Sequence, residues 1–193
     1  LTEAGFRHVV TLPLLVDLDI GRTHDWDRAT AERMRTQLNV LFVGRINENK
    51  RQHELIEVFE EFLHIVDQPA RLVLVGGVTS EGYRDQLRTQ AGDHLDTGRI
   101  VLTDKVREAE LQAYYRTASL FVCLSAHEGF CMPVLEAMQH DVPVIARDAG
   151  ALAATMGEGG LVLASGETDA CAMAALWQTV LTEPGLRRRI VEG

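Results

Sequence analysis

NVLFVGRINENKRQHELIEVFEEFLHIV (residues 39–66) is a strand-loop-helix pattern from which the fold can be inferred. It opens with the apolar run NVLFVG, crosses a polar loop and continues into KRQHELIEVFEEFLHIV at residues 50–66. In that second part apolar residues recur at helical spacing and acidic residues take the other face. The apolar set is Leu55, Val58, Phe59, Phe62 and Val66. A short buried strand followed by an amphipathic helix is therefore predicted.

The same alternation continues along the chain. Further apolar runs occupy residues 71–77, 99–104, 119–125, 142–147 and 160–165, and helix-like segments occupy about 80–91, 107–117, 133–140 and 168–182. Continuous apolar strands are typical of strands buried on both faces. The sequence predicts the α/β class, with a Rossmann-like parallel sheet that has helices on both faces. In such folds ligands bind at the carboxyl ends of the strands.

Composition narrows the class of protein. The chain has 193 residues, 46% hydrophobic and 24% charged, which is enough for one packed domain. The formal net charge is −9, and the one dense basic run, residues 187–189, is interpreted as a solvated helix face. We therefore expect no nucleic-acid partner.

The three cysteines, Cys123, Cys131 and Cys171, form no Cys-x-x-Cys pair. Their odd number argues against a disulfide framework, and their spacing argues against a zinc site, so no metal is expected. Reduced thiols and the lack of a long apolar run favour a cytoplasmic protein.

The first 38 residues fit the alternation less well. HVVTLPLLVDLDI (8–20) is interpreted as a strand plus a connection, and DWDRATAERMRTQ (25–37) as a polar helix. The chain starts without Met and stops within a helix-like segment, so we expect a fragment of a longer protein. Residues 1–38 are interpreted as a linker from a missing N-terminal domain, and 39–193 as the ligand-binding domain.

Two loops after predicted strands are suited to anions. In GRINENKR (44–51), Arg45 and Lys50 could converge on one anion near a helix N-terminus, or could be exposed cations of a turn. In EGFCMPVLEAM (128–138), Pro133 is placed to begin a helix, so the turn before it can present free backbone N–H groups.

Glu128 and Glu136 flank that second loop. Carboxylates repel a phosphate but accept hydrogen bonds from neighbouring hydroxyl groups, as on sugars. Alternatively, Glu136 is a solvated first-turn glutamate and Glu128 caps a turn. With both loops at one sheet edge, the pattern favours a phosphate flanked by polyols, which describes a nucleotide sugar.

The motifs GRINENK, EGFCMPVLEAM and DVPVIARDAGALAATMGEGGLVL, at residues 44–50, 128–138 and 141–163, resemble those of a known family. It is the C-terminal, donor-binding half of retaining glycosyltransferases of the GT-B fold, family four, also called glycosyl transferases group 1. The resemblance covers residue 39 to the end. It implies a transferase that binds a UDP-, GDP- or ADP-sugar, needs no metal or other cofactor, and belongs to carbohydrate biosynthesis.

The resemblance also implies roles for single residues. Arg45 and Lys50 would hold the diphosphate and stabilise it as leaving group, while Glu128 would contact hydroxyl groups of the sugar. Glu136 would bind the ribose. Gly44 would line the donor before Arg45, and Lys105 and Val106 would lie near the base. Gly129, Phe130, Cys131 and Met132 would lie at phosphate and sugar.

The chain departs from the family pattern at Cys131, where most relatives have Gly. No base stands beside this thiol in the sequence, so it is interpreted as a packing residue rather than a nucleophile. The acceptor-binding N-terminal domain is expected to be missing, so the fragment should bind donor and not catalyse transfer alone. The acceptor would be a saccharide, lipid or small molecule, and the full-length parent could touch a membrane peripherally.

Two other functions stay open at this point. A glycoside hydrolase could use Glu128 and Glu136 as an acid/base pair. A non-catalytic domain could bind a nucleotide sugar without transferring it. His127, next to Glu128, is left outside the catalytic set because a lone histidine is more often structural.

Overall fold

The computed structural model describes Gly5, Arg7, residues 25–166 and residues 169–192. The strand expected at 8–20 lies outside these residues. Within them, the chain forms one six-stranded sheet in which every neighbouring pair is parallel. The strands are β1 (Leu38–Val43), β2 (Ala70–Val75), β3 (Ile100–Leu102), β4 (Leu120–Cys123), β5 (Val144–Arg147) and β6 (Leu161–Leu163).

The strand order is β3-β2-β1-β4-β5-β6. From β1 the chain adds strands outward on one side, and from β4 it adds them outward on the other. In the registers of the central pairs, Val40 lies opposite Leu72 on β2 and opposite Leu120 on β4. The order therefore reverses between β1 and β4, which confirms the predicted Rossmann-like sheet and locates its crevice there.

Helices connect the strands. They are α1 (Arg28–Met34), α2 (Gln52–Ile65), α3 (Glu81–Ala91), α4 (Asp93–Asp96), α5 (Glu108–Thr117), α6 (Met132–Gln139), α7 (Leu152–Met156), α8 (Ala170–Thr182) and α9 (Pro184–Glu192). Two helices begin at other residues than the sequence predicts. Lys50 lies in a 3₁₀ turn at Glu48–Lys50, before α2 begins. The helix expected to begin at Pro133 begins one residue earlier.

The core lies on both faces of the sheet, because the central strands are buried along most of their length. Phe59 and Phe62 on α2 are fully buried. The Phe62 ring meets the Trp177 ring of α8 edge-on, with centroids 5.8 Å apart. Residues from Met34 to Ile190 contribute to this one apolar interior.

The polar helix predicted within residues 25–37 is α1, and it packs against α5. Asp27 caps it by accepting a hydrogen bond from the Thr30 N–H at 2.8 Å, and the Asp27 N–H donates to the Ala109 carbonyl at 2.8 Å. The Arg116 guanidinium lies 4.3 Å from the Trp26 ring centroid. In the described part of the chain, no helix is both long enough and apolar enough to cross a bilayer.

Candidate functional site

The loops that follow β1 and β4 meet at the crevice where the strand order reverses. The Ala126 N–H donates to the Asn49 carbonyl at 2.8 Å, and the Asn49 side-chain amide donates to the His127 carbonyl at 2.9 Å. Two segments almost 80 residues apart in sequence are thereby held together by backbone acceptors. This places both predicted anion loops at one edge of the sheet, where α/β folds bind their ligands.

An ion pair connects the same two loops. Lys50 Nζ lies 2.6 Å from Glu128 Oε1, and both side chains are largely buried, with exposed fractions of 16% and 7%. Lys50 is predicted to bind a phosphate and Glu128 to bind a sugar. In the structure these two side chains are in contact. An ammonium carries three donors, so Lys50 can hold Glu128 and still reach another acceptor.

Arg45 stands at the exposed rim of this crevice. Its backbone carbonyl accepts a hydrogen bond from Gln52 Nε2 at 2.9 Å, which fixes the start of the loop. Its guanidinium makes no ion pair or hydrogen bond with the residues that the structure describes. A fixed backbone and an uncommitted guanidinium suit the capture of an anion from solution.

Helix α6 begins beside Glu128, and its cap residue has unusual backbone geometry. Cys131 is the N-cap with φ 65° and ψ 65°, a left-handed conformation that favours glycine. Among the described residues, the N–H groups of Gly129, Phe130 and Met132 find no backbone acceptor. Free N–H groups at a helix N-terminus form a site for a phosphate or carboxylate.

The Cys131 thiol is buried against its neighbours. Its Sγ lies 4.0 Å from Cys123 Sγ. The Cys123 thiol, burial and the negative charge of Glu128 raise the pKa of Cys131 well above its usual range, while Lys50 lowers it. A thiol that holds its proton this firmly is a poor nucleophile, which agrees with a packing role.

Glu136 lies within the first turns of α6 and is partly buried. Tyr115 Oη donates to Glu136 Oε2 at 2.6 Å. Burial raises the pKa of Glu136, and the Tyr115 hydrogen bond offsets part of this rise. The Tyr115 ring, fully buried, stacks on His140 and Phe121. No motif in the sequence indicates that Tyr115 positions this carboxylate.

The loops after β2 and β3 extend the same edge of the sheet. A Cβ on Gly76 would lie 2.0 Å from the Gly44 carbonyl oxygen, so glycine is required where these two loops touch. The Ile46 N–H donates to the Gly77 carbonyl at 3.0 Å, which joins the two loops further along. Beyond them, Lys105 is exposed and Val106 is partly buried after β3.

A buried ion network under the crevice was not anticipated. Arg147 at the end of β5 pairs with Glu54 on α2 and donates from Nη1 to the Leu124 carbonyl at 2.7 Å. Glu54 also pairs with Arg51, which has a left-handed φ of 52°. The side chains of Glu54 and Arg147 are only 8% and 7% exposed. This network ties α2 to the loop that carries Glu128.

Gly150 supports Glu128 from the other side. Its φ is 64°, and a Cβ there would lie 2.2 Å from the Glu128 carbonyl oxygen. That carbonyl accepts a hydrogen bond from the Ala151 N–H at 2.9 Å. The backbone of Glu128 is thus fixed by a turn that only glycine fits without strain.

Comparison with known proteins shows the family of the chain. The model of the family described as glycosyl transferases group 1 matches residues 26–193. The chain belongs to this family. Its Rossmann-like sheet is one half of a GT-B fold, as the sequence predicts, and membership does not favour the glycoside hydrolase alternative.

Relatives of this group 1 domain are longer proteins. It is 32% identical over 159 residues to the D-inositol 3-phosphate glycosyltransferase of Thermobifida fusca, which covers 78% of this chain and 36% of that protein. It is 27% identical over 154 residues to the Escherichia coli O-antigen chain mannosyltransferase B, covering 76% of this chain and 40% of that one. The chain therefore spans 40% or less of the length of these curated relatives.

A solved structure of similar size shows the same fold. The C-terminal domain of a glycosyl transferase group 1 family protein (LpcC) from Francisella tularensis superposes with a TM-score of 0.72 at 23% identity. The alignment covers 92% of this chain and 93% of that one. Anabaena HepE, solved in complex with UDP and glucose, gives a TM-score of 0.71 at 20% identity. That alignment covers 89% of this group 1 domain and 47% of HepE.

Proposed function

We propose that this chain is the donor-binding domain of a retaining glycosyltransferase and that its substrate is a nucleotide-diphosphate sugar. One observation carries the proposal. Two loops suited to anions are joined at the β1/β4 crevice through the 2.6 Å contact of Lys50 with Glu128. Beside this contact stand an uncommitted guanidinium and the start of α6. Cations and carboxylates alternate over a short span, as a diphosphate flanked by sugar hydroxyls requires.

The diphosphate would bind between Arg45, Lys50 and the free N–H groups that precede α6. Arg45 supplies a planar fork that matches phosphate oxygens, and Lys50 supplies a point charge that is already positioned. These groups bring positive charge to the bond between sugar C1 and the phosphate. As that bond breaks, they stabilise the negative charge that develops on the leaving phosphate. We propose that this charge compensation needs no resident metal.

The two glutamates would bind hydroxyl groups. Glu128, held in position by Lys50 and by the Gly150 turn, would accept from a hydroxyl of the transferred sugar. Glu136 would accept from the ribose, with Tyr115 fixing one of its carboxylate oxygens. The loop with Lys105 and Val106 would lie against the base.

The acceptor would be held by a second domain. This extends the expected organisation, in which residues 1–38 connect an acceptor-binding domain to a donor domain at 39–193. The relatives, more than twice as long as the matched segment, support it. We further propose that the whole enzyme acts in the cytoplasm on a saccharide, lipid or small molecule, and that this chain alone does not complete the transfer.

The test is calorimetric titration of the chain with UDP, GDP and ADP, with and without Mg²⁺. We expect one nucleotide to saturate at a single site, without dependence on metal and with strong dependence on Arg45. If none of the three nucleotides binds, the titration is repeated on the full-length parent. Failure there as well would remove the proposal.

A further inference from the structure

We propose that Cys123, Cys131 and Glu128 form a binding site for Zn²⁺, a thiophilic divalent cation, and that an ion bound there withdraws Glu128 from the donor sugar. The second half rests on the proposed function, because it assumes that Glu128 meets the sugar. The first half rests on the geometry, charge and ligand chemistry of the three residues.

The distances between these three groups fit one tetrahedral ion. One ligand atom from each residue can be chosen so that all three lie within 4.8 Å of one another. Cys123 Sγ lies 4.0 Å from Cys131 Sγ and 3.7 Å from Glu128 Oε1. In a tetrahedral site with Zn–S near 2.3 Å and Zn–O near 2.1 Å, ligand atoms are separated by about 3.6–3.8 Å. The two distances from Cys123 Sγ therefore lie within a few tenths of an ångström of the ideal separation, and the distance between Cys131 Sγ and the Glu128 carboxylate would have to shorten by about 1 Å at most.

The fold brings these ligands together although their spacing is not that of a zinc motif. Cys123 is the last residue of β4, and the loop after it turns back at the left-handed Cys131 to begin α6. The thiols, eight residues apart, consequently face each other beneath Glu128. In the sequence, the absence of Cys-x-x-Cys argues against zinc. Local spacing does not reveal that the chain reverses between the two thiols.

Charge also favours a divalent ion here. Two thiolates and one carboxylate carry three negative charges, and Lys50 beside Glu128 contributes one positive charge. A Zn²⁺ ion brings the total to zero, which a largely buried site requires. Soft thiolate ligands select Zn²⁺ over Mg²⁺. Ser125 Oγ, 3.4 Å from Cys123 Sγ, or a water can take the fourth position.

Occupation would alter the crevice. The ion would compete with Lys50 for Oε1 of Glu128 or bind its second carboxylate oxygen, and in either case it would take a lone pair needed for a sugar hydroxyl. Both thiols would lose their protons on binding. We therefore expect Zn²⁺ to compete with the nucleotide sugar and to have less effect on a nucleotide that lacks the sugar.

Cobalt(II) titration of the reduced 193-residue chain tests the site without any nucleotide. We expect one Co²⁺ per chain, with the intense visible bands of a tetrahedral centre and sulfur-to-cobalt charge transfer, displaced by equimolar Zn²⁺. Cys131→Gly should weaken Zn²⁺ binding by about 100-fold or more, since even outer-shell changes cost 10- to 100-fold. Cys123→Ser is a second ligand variant. Cys171→Ser removes an exposed thiol outside the cluster and should bind like wild type.

Three results would contradict the proposed metal site. The Co²⁺ spectrum could lack sulfur-to-cobalt charge transfer, or it could be lost in Cys171→Ser. It could also stay unchanged in both ligand variants while circular dichroism shows that these variants are folded. Metal binding that leaves the affinity for the nucleotide sugar unchanged would overturn the competition and keep the site. Metal binding in a chain that binds no nucleotide would count against the proposed function alone.

Discussion

Lys50 and Glu128, 78 positions apart in sequence, form an ion pair of 2.6 Å across the point where the sheet reverses its strand order. Each residue therefore fixes the other. Lys50 orients a carboxylate that is 7% exposed, and Glu128 fixes the ammonium, which in the proposed donor site would meet a phosphate. Because removal of either partner leaves a poorly solvated charge, we expect single substitutions here to disturb both phosphate and sugar binding.

Arg45→Ala should weaken binding of the preferred nucleotide diphosphate by about 10- to 100-fold, because a charge-assisted hydrogen bond contributes about 1.5–3 kcal/mol. The guanidinium has no partner among the described residues, so the free energy of unfolding should stay the same. Calorimetric titration and urea unfolding measure the two quantities. Arg88→Ala, an exposed cation in the last turn of α3, is the matched control. Equal affinities for the two variants would contradict a phosphate role for Arg45.

Gly150→Ala should displace the Glu128 backbone. The added Cβ would lie 2.2 Å from the Glu128 carbonyl oxygen, in a left-handed conformation. Gly157 has a similar φ of 62° with nothing within 4 Å of its added Cβ, so Gly157→Ala reports backbone strain alone. We expect Gly150→Ala to be less stable than Gly157→Ala by about 1–3 kcal/mol. Chemical denaturation of both variants measures the difference. Equal stabilities would show that the backbone around Gly150 shifts to accept the added Cβ at little cost.

Glu54→Gln should lower the free energy of unfolding by about 3 kcal/mol or more, because it leaves the buried Arg147 without its carboxylate. Glu81→Gln removes an exposed ion pair with Arg84 and should cost less than about 1 kcal/mol. Urea denaturation of the two variants compares them directly. A loss at Glu54 no larger than that at Glu81 would mean that the Arg147 network adds little to stability.

Cys131→Gly should keep or raise stability by up to about 1 kcal/mol, because it relieves the left-handed cap. Cys131→Ala removes the same sulfur but keeps the Cβ, so it should be the less stable of the two. Thermal unfolding of the pair separates backbone strain from sulfur packing. If Cys131→Ala is more stable than Cys131→Gly, the left-handed cap is unstrained.

Glu136→Gln should change how stability depends on pH. Burial raises the pKa of Glu136 above its ordinary value of 4.5, so between these two values the folded state holds more protons than the unfolded state. Wild-type stability attributable to this group therefore falls as pH rises through that interval. Relative to Glu136→Gln, the wild type should lose stability as pH rises above 4.5 in urea titrations.

Glu48→Gln supplies a control of opposite sign for that measurement. The hydrogen bond from Ser80 lowers the pKa of Glu48, so its contribution is present above the ordinary value of 4.5 and is lost as pH falls. Parallel curves for wild type and Glu136→Gln would show that the Glu136 carboxyl is as well solvated in the folded chain as in the unfolded one.

The strands and most helices could be predicted from sequence because they depend on local signals. Apolar runs marked β1 to β6, and the spacing of Leu55, Phe59 and Phe62 marked α2. The site loops followed from strand ends, since parallel strands place them at one edge. The helix starts were less accurate where a turn intervened, as at Lys50.

The partners inside the site could not be predicted, because they depend on contacts between distant segments. Nothing local to Glu54 indicates a buried Arg147 in another strand, and Tyr115 lies 21 residues from Glu136. Cys131 shows the same limit. Its departure from glycine was visible in the sequence, while the left-handed backbone and the facing thiol appear only in three dimensions.

Among the residues that the structure describes, the two outermost strands, β3 and β6, are each three residues long. An outer strand leaves one row of peptide groups unpaired, and a long flat row can recruit a strand from another molecule. With so few unpaired peptide groups, β3 and β6 each offer only a short template to a strand of another molecule. We therefore expect little intermolecular pairing through these two edge strands.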